Sequence, residues 1–227
     1  MKTSLFRSLY LLGIGIIAST ANAGEIFSDI PASPDGSAKY VFYLHGSGIE
    51  KQGEFDAGEK FRDVVKVLAS KDLIVITEAR EEGTKFHRYG EKVAQDVRKL
   101  AKSGVPLRNI TVAGYSKGGR ISLRTAAILS EPDVNYVILA GCLAEHKKWH
   151  AKFIRKYAGE MQGNILSIYD DDDTAFSSCK PYFSVADGEL KHKELKLSTG
   201  QGHQLFHHPD AVWIEPLIEW ANSRAVQ

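Results

Sequence analysis

Ser116 lies in a setting that could make its hydroxyl a nucleophile. It is the central residue of Gly114-Tyr115-Ser116-Lys117-Gly118, which has the spacing G-x-S-x-G. Residues 110–113 before it form a short β-branched apolar run, typical of a strand buried on both faces, and the apolar spacing over 117–130 predicts a helix. A serine hydroxyl is a poor nucleophile at neutral pH, so Ser116 could carry out acyl transfer only beside a general base and a group that orients the base.

The order of strand, G-x-S-x-G and helix resembles the nucleophile elbow of the α/β-hydrolase superfamily, and the resemblance extends over residues 40–224. In such an elbow the sharp turn strains the serine backbone, and Gly114 and Gly118 let neighbouring main chain approach it. The resemblance implies a triad in the chain order Ser, Asp or Glu, His, each at the carboxyl end of a strand. It implies two-step acyl transfer with no metal or organic cofactor.

The candidate acids are four consecutive aspartates, residues 170–173, which follow the predicted strand 164–169. Families of this type often read apolar strand, glycine, two residues, aspartate at this place. Asp170 stands at the glycine position, a departure from that pattern, and Asp173 then falls on the acid; Asp172 is the second choice. The alternatives for this run are a solvated acidic loop or a weak Ca²⁺ site, but consecutive positions do not converge on one ion as alternate loop positions do.

The resemblance assigns the base to His203, in the glycine-flanked loop that follows the last predicted strand. His207 and His208 begin the final helical region and are better interpreted as surface residues. The two oxyanion-hole donors would be the backbone N–H of Lys117 and one N–H from His45-Gly46-Ser47-Gly48, which resembles the family's His-Gly-x motif. Ser47 is the preferred donor and Gly48 the alternative.

Clues to the substrate are few. Arg80 follows the predicted strand 73–77 and could contact an anionic group, and the side chain of Lys117 adds positive charge close to Ser116. We therefore expect a mild preference for polar or anionic esters. The alternative is that Arg80 forms a structural ion pair with Glu78, Glu81 or Glu82.

The flanking sequence predicts the elements that position these residues. Besides the strand before Ser116, strands are predicted at 40–44, 73–77, 136–140, 164–169 and 193–197, with at most one edge strand in 24–39, and helices at 55–70, 90–102, 149–158 and 209–223. This alternation predicts one α/β domain, 24–227, of α/β-hydrolase type, with a mainly parallel sheet and helices on both faces. Residues 143–163, where many members insert a cap, have room for little more than one helix, so we expect an open site.

The composition and the N-terminal residues indicate which partners the protein can have and where it is located. The 29 basic and 28 acidic residues give a net charge of +1, which argues against nucleic acid as a partner. Residues 1–23 have a basic start, an apolar centre and the ending Ala21-Asn22-Ala23, which predicts a signal peptide cut before Gly24. We expect an exported protein, periplasmic or secreted, with no membrane span after cleavage. The oligomeric state is not predicted.

The two cysteines, Cys142 and Cys179, each follow a predicted strand. If those strands are neighbours, both cysteines lie at the same sheet edge, and an exported protein favours a disulfide between them over two buried free thiols. Their spacing gives no support for a metal site.

These features favour an exported serine hydrolase of carboxylesterase type that cleaves ester or related acyl bonds of a small-molecule substrate. A thioesterase or peptidase of the same fold remains an alternative, as does a lyase or transferase. A catalytically inactive hydrolase fold that serves as a binding protein is the rival from another class.

Overall fold

The computed structural model describes residues 24–187 and 190–223, which are built around a parallel sheet of seven strands. The strand order is β1-β3-β2-β4-β5-β6-β7, and every neighbouring pair is parallel. The strands are β1 (Ile26–Phe27), β2 (Lys39–Leu44), β3 (Leu73–Ile76), β4 (Ile110–Tyr115), β5 (Asn135–Leu139), β6 (Gly163–Asp170) and β7 (Leu190–Leu197). This confirms the fold class expected from the alternation of strands and helices.

Seven α-helices accompany the sheet in the described ranges. They are α1 (Ser47–Asp56), α2 (Phe61–Ala69), α3 (Phe86–Lys102), α4 (Lys117–Leu129), α5 (His150–Tyr157), α6 (Lys180–Phe183) and α7 (Ala211–Asn222). Because the central strands are apolar on both faces, helices cover both sides: α3, α4 and α5 pack on one face, and α2 and α7 on the other. The carboxyl ends of β2, β4, β6 and β7 therefore meet at one edge.

The predicted helix 55–70 is interrupted in the structure. The helical stripe Phe61, Val64, Val65 and Leu68 is buried as expected, but α1 ends and α2 begins only after residues 57–60. Two of these residues contact other loops instead: the N–H of Lys60 donates to the carbonyl of His207 (2.6 Å), and the buried Glu59 accepts the N–H of Gly46. Contacts between distant loops thus prevail over the local helical pattern.

The segment between β5 and β6 holds only α5 and the 3₁₀ turn Ala158–Glu160, so the structure has no sizeable cap in the described residues. None of the described helices has the length and apolar character needed to cross a bilayer. The predicted signal peptide, residues 1–23, lies outside the described residues.

Candidate active site

Ser116 occupies the sharp turn between β4 and α4. Its backbone has φ 54° and ψ −112°, a left-handed φ that is uncommon for a residue with a Cβ. A Cβ on Gly118 would lie 1.9 Å from the carbonyl oxygen of Leu44, and one on Gly114 would lie 2.3 Å from the carbonyl carbon of Gly118. The strained serine and the close main-chain approach at both glycines are therefore confirmed.

His203 connects Ser116 to an acid. It lies in the 3₁₀ helix Gly202–His207, directly beyond β7, with its Nε2 3.0 Å from Ser116 Oγ and its Nδ1 2.5 Å from Asp173 Oδ2. An ionised carboxylate can only accept a hydrogen bond, so Nδ1 of the neutral ring carries the proton and donates it to Asp173. Nε2 is then left free to accept the hydroxyl proton of Ser116.

Asp173 is held in the ionised state needed for this arrangement. Burial opposes its ionisation, but the hydrogen bond from His203 and those from the N–H groups of Ala175 (2.8 Å) and Phe176 (3.0 Å) outweigh burial, so the pKa of Asp173 is lowered. The side chain of Asp173 is buried, and both of its oxygens accept hydrogen bonds.

The other three aspartates have different partners. Asp170 is buried and accepts hydrogen bonds from the N–H and hydroxyl of Thr199, while Asp171 is exposed and pairs with Lys196 at 3.2 Å. Asp172, the second choice for the acid, is exposed and is not the residue that contacts His203. Carboxylate oxygens of residues 170–172 come within 4.8 Å of one another, but those of Asp170 and Asp171 already accept hydrogen bonds from the protein.

Aromatic contacts that the sequence did not indicate fix the ring of His203. Phe176 stacks on it with ring centroids 4.7 Å apart and planes 11° from parallel, and the ring of Tyr115 lies 4.9 Å away. The hydroxyl of Tyr115 donates to the carbonyl of His203 (3.0 Å) and also lies 3.0 Å from Nε2 of His207. His207, interpreted as a surface residue, is instead a half-buried neighbour of Tyr115.

The predicted oxyanion-hole donors lie at the starts of two helices next to the elbow. Ser47 is the first residue of α1 and Lys117 the first of α4, so neither N–H has an acceptor within its helix. The close approach of Gly118 to Leu44 brings the loop after β2 against the elbow. Oxyanion binding by Ser47 and Lys117 stays a prediction.

Glu59 anchors the loop that carries Ser47. Its carboxylate oxygens lie 3.0 and 3.3 Å from the N–H of Gly46, which donates to them. Burial raises the pKa of the Glu59 carboxyl to about 7, against the opposing effect of that hydrogen bond. A residue from the break between α1 and α2 therefore fixes the start of α1.

Arg80 is not available to a substrate, contrary to the prediction. Its side chain has no exposed surface; its Nε donates to Glu50 (2.8 Å) and its Nη2 to the carbonyl of His45. Among the described residues, the alternative pairing with Glu78, Glu81 or Glu82 is not found either. Arg80 therefore has a structural role, because a charge buried this deeply requires a carboxylate partner within the protein.

Lys117 shares that partner. Its Nζ forms an ion pair with the second oxygen of Glu50, while its side chain keeps 20% exposure. His45 is buried under the same cluster, and burial together with the charge of Arg80 lowers its pKa to about 3, so the ring is neutral and accepts the N–H of Arg80 (2.8 Å). One carboxylate thus ties the elbow helix to the loops after β2 and β3.

Cys142 and Cys179 form the predicted disulfide, with Cα atoms 5.2 Å apart. Cys142 follows β5 and Cys179 precedes α6, so the bond joins the loops that follow two adjacent strands. The second of these loops contains Asp173 and Phe176.

Comparisons with known proteins agree with this architecture. Residues 72–177 match a family model described as phospholipase/carboxylesterase, while a search of curated protein sequences finds no match. A hyperthermophilic esterase from the archaeon Pyrobaculum calidifontis has a similar structure (TM-score 0.58, 17% identity, 85% of this chain and 79% of that one). So do SOBER1 from Arabidopsis thaliana (TM-score 0.56, 13% identity, 84% and 100%) and a lipase-esterase related protein from Clostridium acetobutylicum (TM-score 0.56, 16% identity, 82% and 96%). At these identities the likeness concerns the fold, and the matched family is of the esterase type.

Proposed function

From the premise that this chain has the α/β-hydrolase fold, we propose that it is an exported serine hydrolase that cleaves ester or related acyl bonds through an acyl-enzyme. The observation that carries the proposal is the continuous contact from Asp173 through His203 to Ser116, with distances of 2.5 and 3.0 Å. The match to a phospholipase/carboxylesterase family model supports esters as the substrate class.

In the first step, Ser116 Oγ attacks the acyl carbonyl while His203 Nε2 takes the hydroxyl proton. Asp173 keeps the proton of the neutral ring on Nδ1 and stabilises the imidazolium that forms. The N–H groups of Ser47 and Lys117 would stabilise the negative charge that develops on the carbonyl oxygen, and removing one such donor typically costs about 3 kcal/mol. His203 then protonates the leaving group, and the acyl group remains on Ser116.

In the second step, His203 Nε2 takes a proton from water, whose oxygen attacks the acyl carbon. The bond to Ser116 Oγ breaks, and His203 returns the proton to that oxygen. Every proton in the cycle passes through Nε2, so the ring must keep its orientation throughout. The contacts of Asp173, Phe176 and Tyr115 with His203 support this requirement.

Export forms part of the proposal and has its own support. The pattern of residues 1–23 is that of a signal peptide, and a disulfide suits an oxidising compartment. Mass spectrometry of the protein from the periplasm or medium of an expressing bacterium should find Gly24 at its N-terminus. An intact Met1 in those fractions, or retention in the cytoplasm, contradicts export.

The enzymatic proposal is tested by labelling with a fluorophosphonate probe and by a panel of p-nitrophenyl esters of graded chain length, with thioesters and aminoacyl amides alongside. We expect the native protein to be labelled and to hydrolyse the esters, and Ser116→Ala and His203→Ala to lose both properties. Ser103→Ala and His208→Ala, exposed residues outside the triad, are the matched controls. A folded native protein that is neither labelled nor active on any of these substrates would be a binding protein instead.

A further inference from the structure

The charged side chains that line a cavity beside the elbow are all basic. It has a volume of about 490 Å³, and its charged lining residues are Lys85, Lys117, Arg120, Lys152 and Lys156, with no carboxylate among the residues that line it. A second cavity of about 450 Å³, near β1 and α2, has a mixed lining with Glu54 and Glu78 opposite Arg62 and Lys66. The lining of this second cavity is thus mixed in charge, whereas the charged residues that line the first are all basic.

Most of these charges have no counter-ion in the part of the chain that the structure describes. Lys117 is paired with Glu50, but in the described ranges no carboxylate lies within salt-bridge distance of Lys85, Arg120, Lys152 or Lys156. The protein is close to neutral, with a net charge of +1. Four cations without counter-ions around one cavity therefore make the electrostatic potential there positive and favour an anionic occupant.

Among these cations, Arg120 has a buried donor atom without a hydrogen-bond acceptor in the described residues. Its Nε is buried and has no hydrogen-bond partner in the described part of the chain, and burial lowers the pKa of its guanidinium. A guanidinium stays protonated all the same, and it suits planar, bidentate recognition of a carboxylate or phosphate. The guanidinium of Arg120 lies over the ring of Phe86, with its Cζ 4.6 Å from the ring centroid.

The rest of the lining is aromatic. The rings of Phe86 and Phe153 stack at 6.1 Å, Tyr157 meets them edge-on, and Trp149 is 49% exposed with the Nζ of Lys152 4.3 Å from its ring centroid. These surfaces can contact a flat apolar body while the cations hold its charge.

The cavity adjoins the nucleophile. Lys117 directly follows Ser116, and the N–H of Arg120 donates to the carbonyl of Ser116 (3.1 Å) within the first turn of α4. Four residues along a helix rise about 6 Å, so Lys117 and Arg120 place one wall of the cavity within the first turn of α4, next to Ser116. The N-termini of α3 and α4 lie at the same cavity, which adds to its preference for negative charge.

We propose that this cavity binds the anionic aromatic part of the substrate, an aryl group that bears a carboxylate or a phosphate. This inference rests on the proposed function and names its substrate class. It replaces the expected role of Arg80 with residues from α4 and α5.

The first test measures binding without turnover. Calorimetry on Ser116→Ala should find 2-naphthoate and 2-naphthyl phosphate bound at least about tenfold more tightly than neutral 2-naphthamide, since a charge-assisted hydrogen bond is worth that much. The comparison of the two anions tells whether the site prefers carboxylate or phosphate. Equal affinity for the amide and both anions would overturn the proposal.

Variants assign the effect to the cavity. Arg120→Gln and the double variant Lys152→Gln/Lys156→Gln are made in the Ser116→Ala background. Each should weaken the binding of the two anions about tenfold, and should weaken it more than the binding of the amide. The matched controls are Arg108→Gln and Lys71→Gln, exposed cations elsewhere on the molecule. Equal losses in the controls would mean a general charge effect and would also overturn the proposal.

The second test measures turnover in the active enzyme. The ratio of kcat/KM for 4-carboxyphenyl acetate over 4-carbamoylphenyl acetate should fall about tenfold in Arg120→Gln, and comparing ratios cancels the intrinsic reactivity of the two esters. Monophenyl terephthalate and its amide place the charge on the acyl side; an unchanged ratio in both pairs contradicts the proposal. If Ser116 is not labelled by the fluorophosphonate, the proposed function fails while the binding test still decides on the cavity.

Discussion

Phe176 stacks on the imidazole of His203 with planes 11° apart, and its own N–H donates to the carboxylate that the same imidazole contacts. One residue therefore touches both His203 and Asp173: its ring stacks on the imidazole, and its N–H adds to the larger effect of the His203 hydrogen bond in lowering the pKa of Asp173. The disulfide to Cys179, three residues further along the chain, fixes the loop from which Phe176 projects.

Replacing Phe176 by leucine should lower kcat about two- to tenfold, because an aromatic pair contributes about 0.5–1.5 kcal/mol to holding the ring. Leucine keeps an apolar side chain and the backbone N–H, so the melting temperature should change little. Steady-state kinetics on a neutral p-nitrophenyl ester measures the effect. Phe176→Tyr keeps the stacked ring and serves as the control; equal kcat values for all three proteins would contradict the positioning role.

Asp173→Asn should reduce kcat by about 10³–10⁴-fold, because an amide at this position can donate to Nδ1 and so favour the wrong tautomer of His203. Asp172→Asn is the matched control, one residue away, exposed, and expected to keep nearly full activity. The two variants are compared by kcat and by the rate of fluorophosphonate labelling. A large loss in Asp172→Asn with little in Asp173→Asn would reassign the acid.

The elements that position the site could be predicted because their signals are local. The apolar runs of the strands, the spacing G-x-S-x-G and the glycine-flanked loop around His203 each lie within a few residues of chain. The superfamily's chain order and the spacing after the strand were sufficient to favour Asp173 among four adjacent aspartates, although the pattern carries Asp170 where glycine is usual.

The contacts between elements could not be predicted in this way. Glu50 joins Arg80, 30 residues further on, to Lys117, and the cationic cavity assembles side chains from α3, α4 and α5. Such pairs depend on the strand order and on how each helix rotates against the sheet, and neither has a signature in sequence spacing. For this reason sequence reasoning offers Arg80 either a substrate or a pair with Glu78, Glu81 or Glu82, whereas its side chain pairs with Glu50.

Removing the disulfide should destabilise the protein without changing its fold. The disulfide closes a loop of 37 residues, and the chain entropy that this removes from the unfolded state corresponds to about 3–4 kcal/mol of stability. The double variant Cys142→Ala/Cys179→Ala should therefore unfold at a lower urea concentration, as should the native protein in a reductant. Circular dichroism during urea titration measures both. A loss below about 1 kcal/mol in both samples would show that the bond contributes little.

Glu59 should make stability depend on pH in a direction opposite to that of most carboxylates. Burial raises its pKa from 4.5 to about 7 in the folded protein, so between these values the folded state binds more protons than the unfolded state. Its contribution to stability is therefore complete below pH 4.5 and is lost as the pH rises through 7, with a total of about 3 kcal/mol.

Glu59→Gln keeps an oxygen for the N–H of Gly46 and removes the titration. The difference in unfolding free energy, variant minus native, should rise by a few kcal/mol between pH 4.5 and pH 8, measured by urea titration at each pH. Subtracting the native protein cancels the titration of all other groups, and Glu215→Gln, an exposed carboxylate on α7, should give a nearly flat difference. A flat difference for Glu59→Gln as well would mean that the buried carboxyl titrates near its ordinary value and that Gly46 is held by a charge at every pH at which the enzyme works.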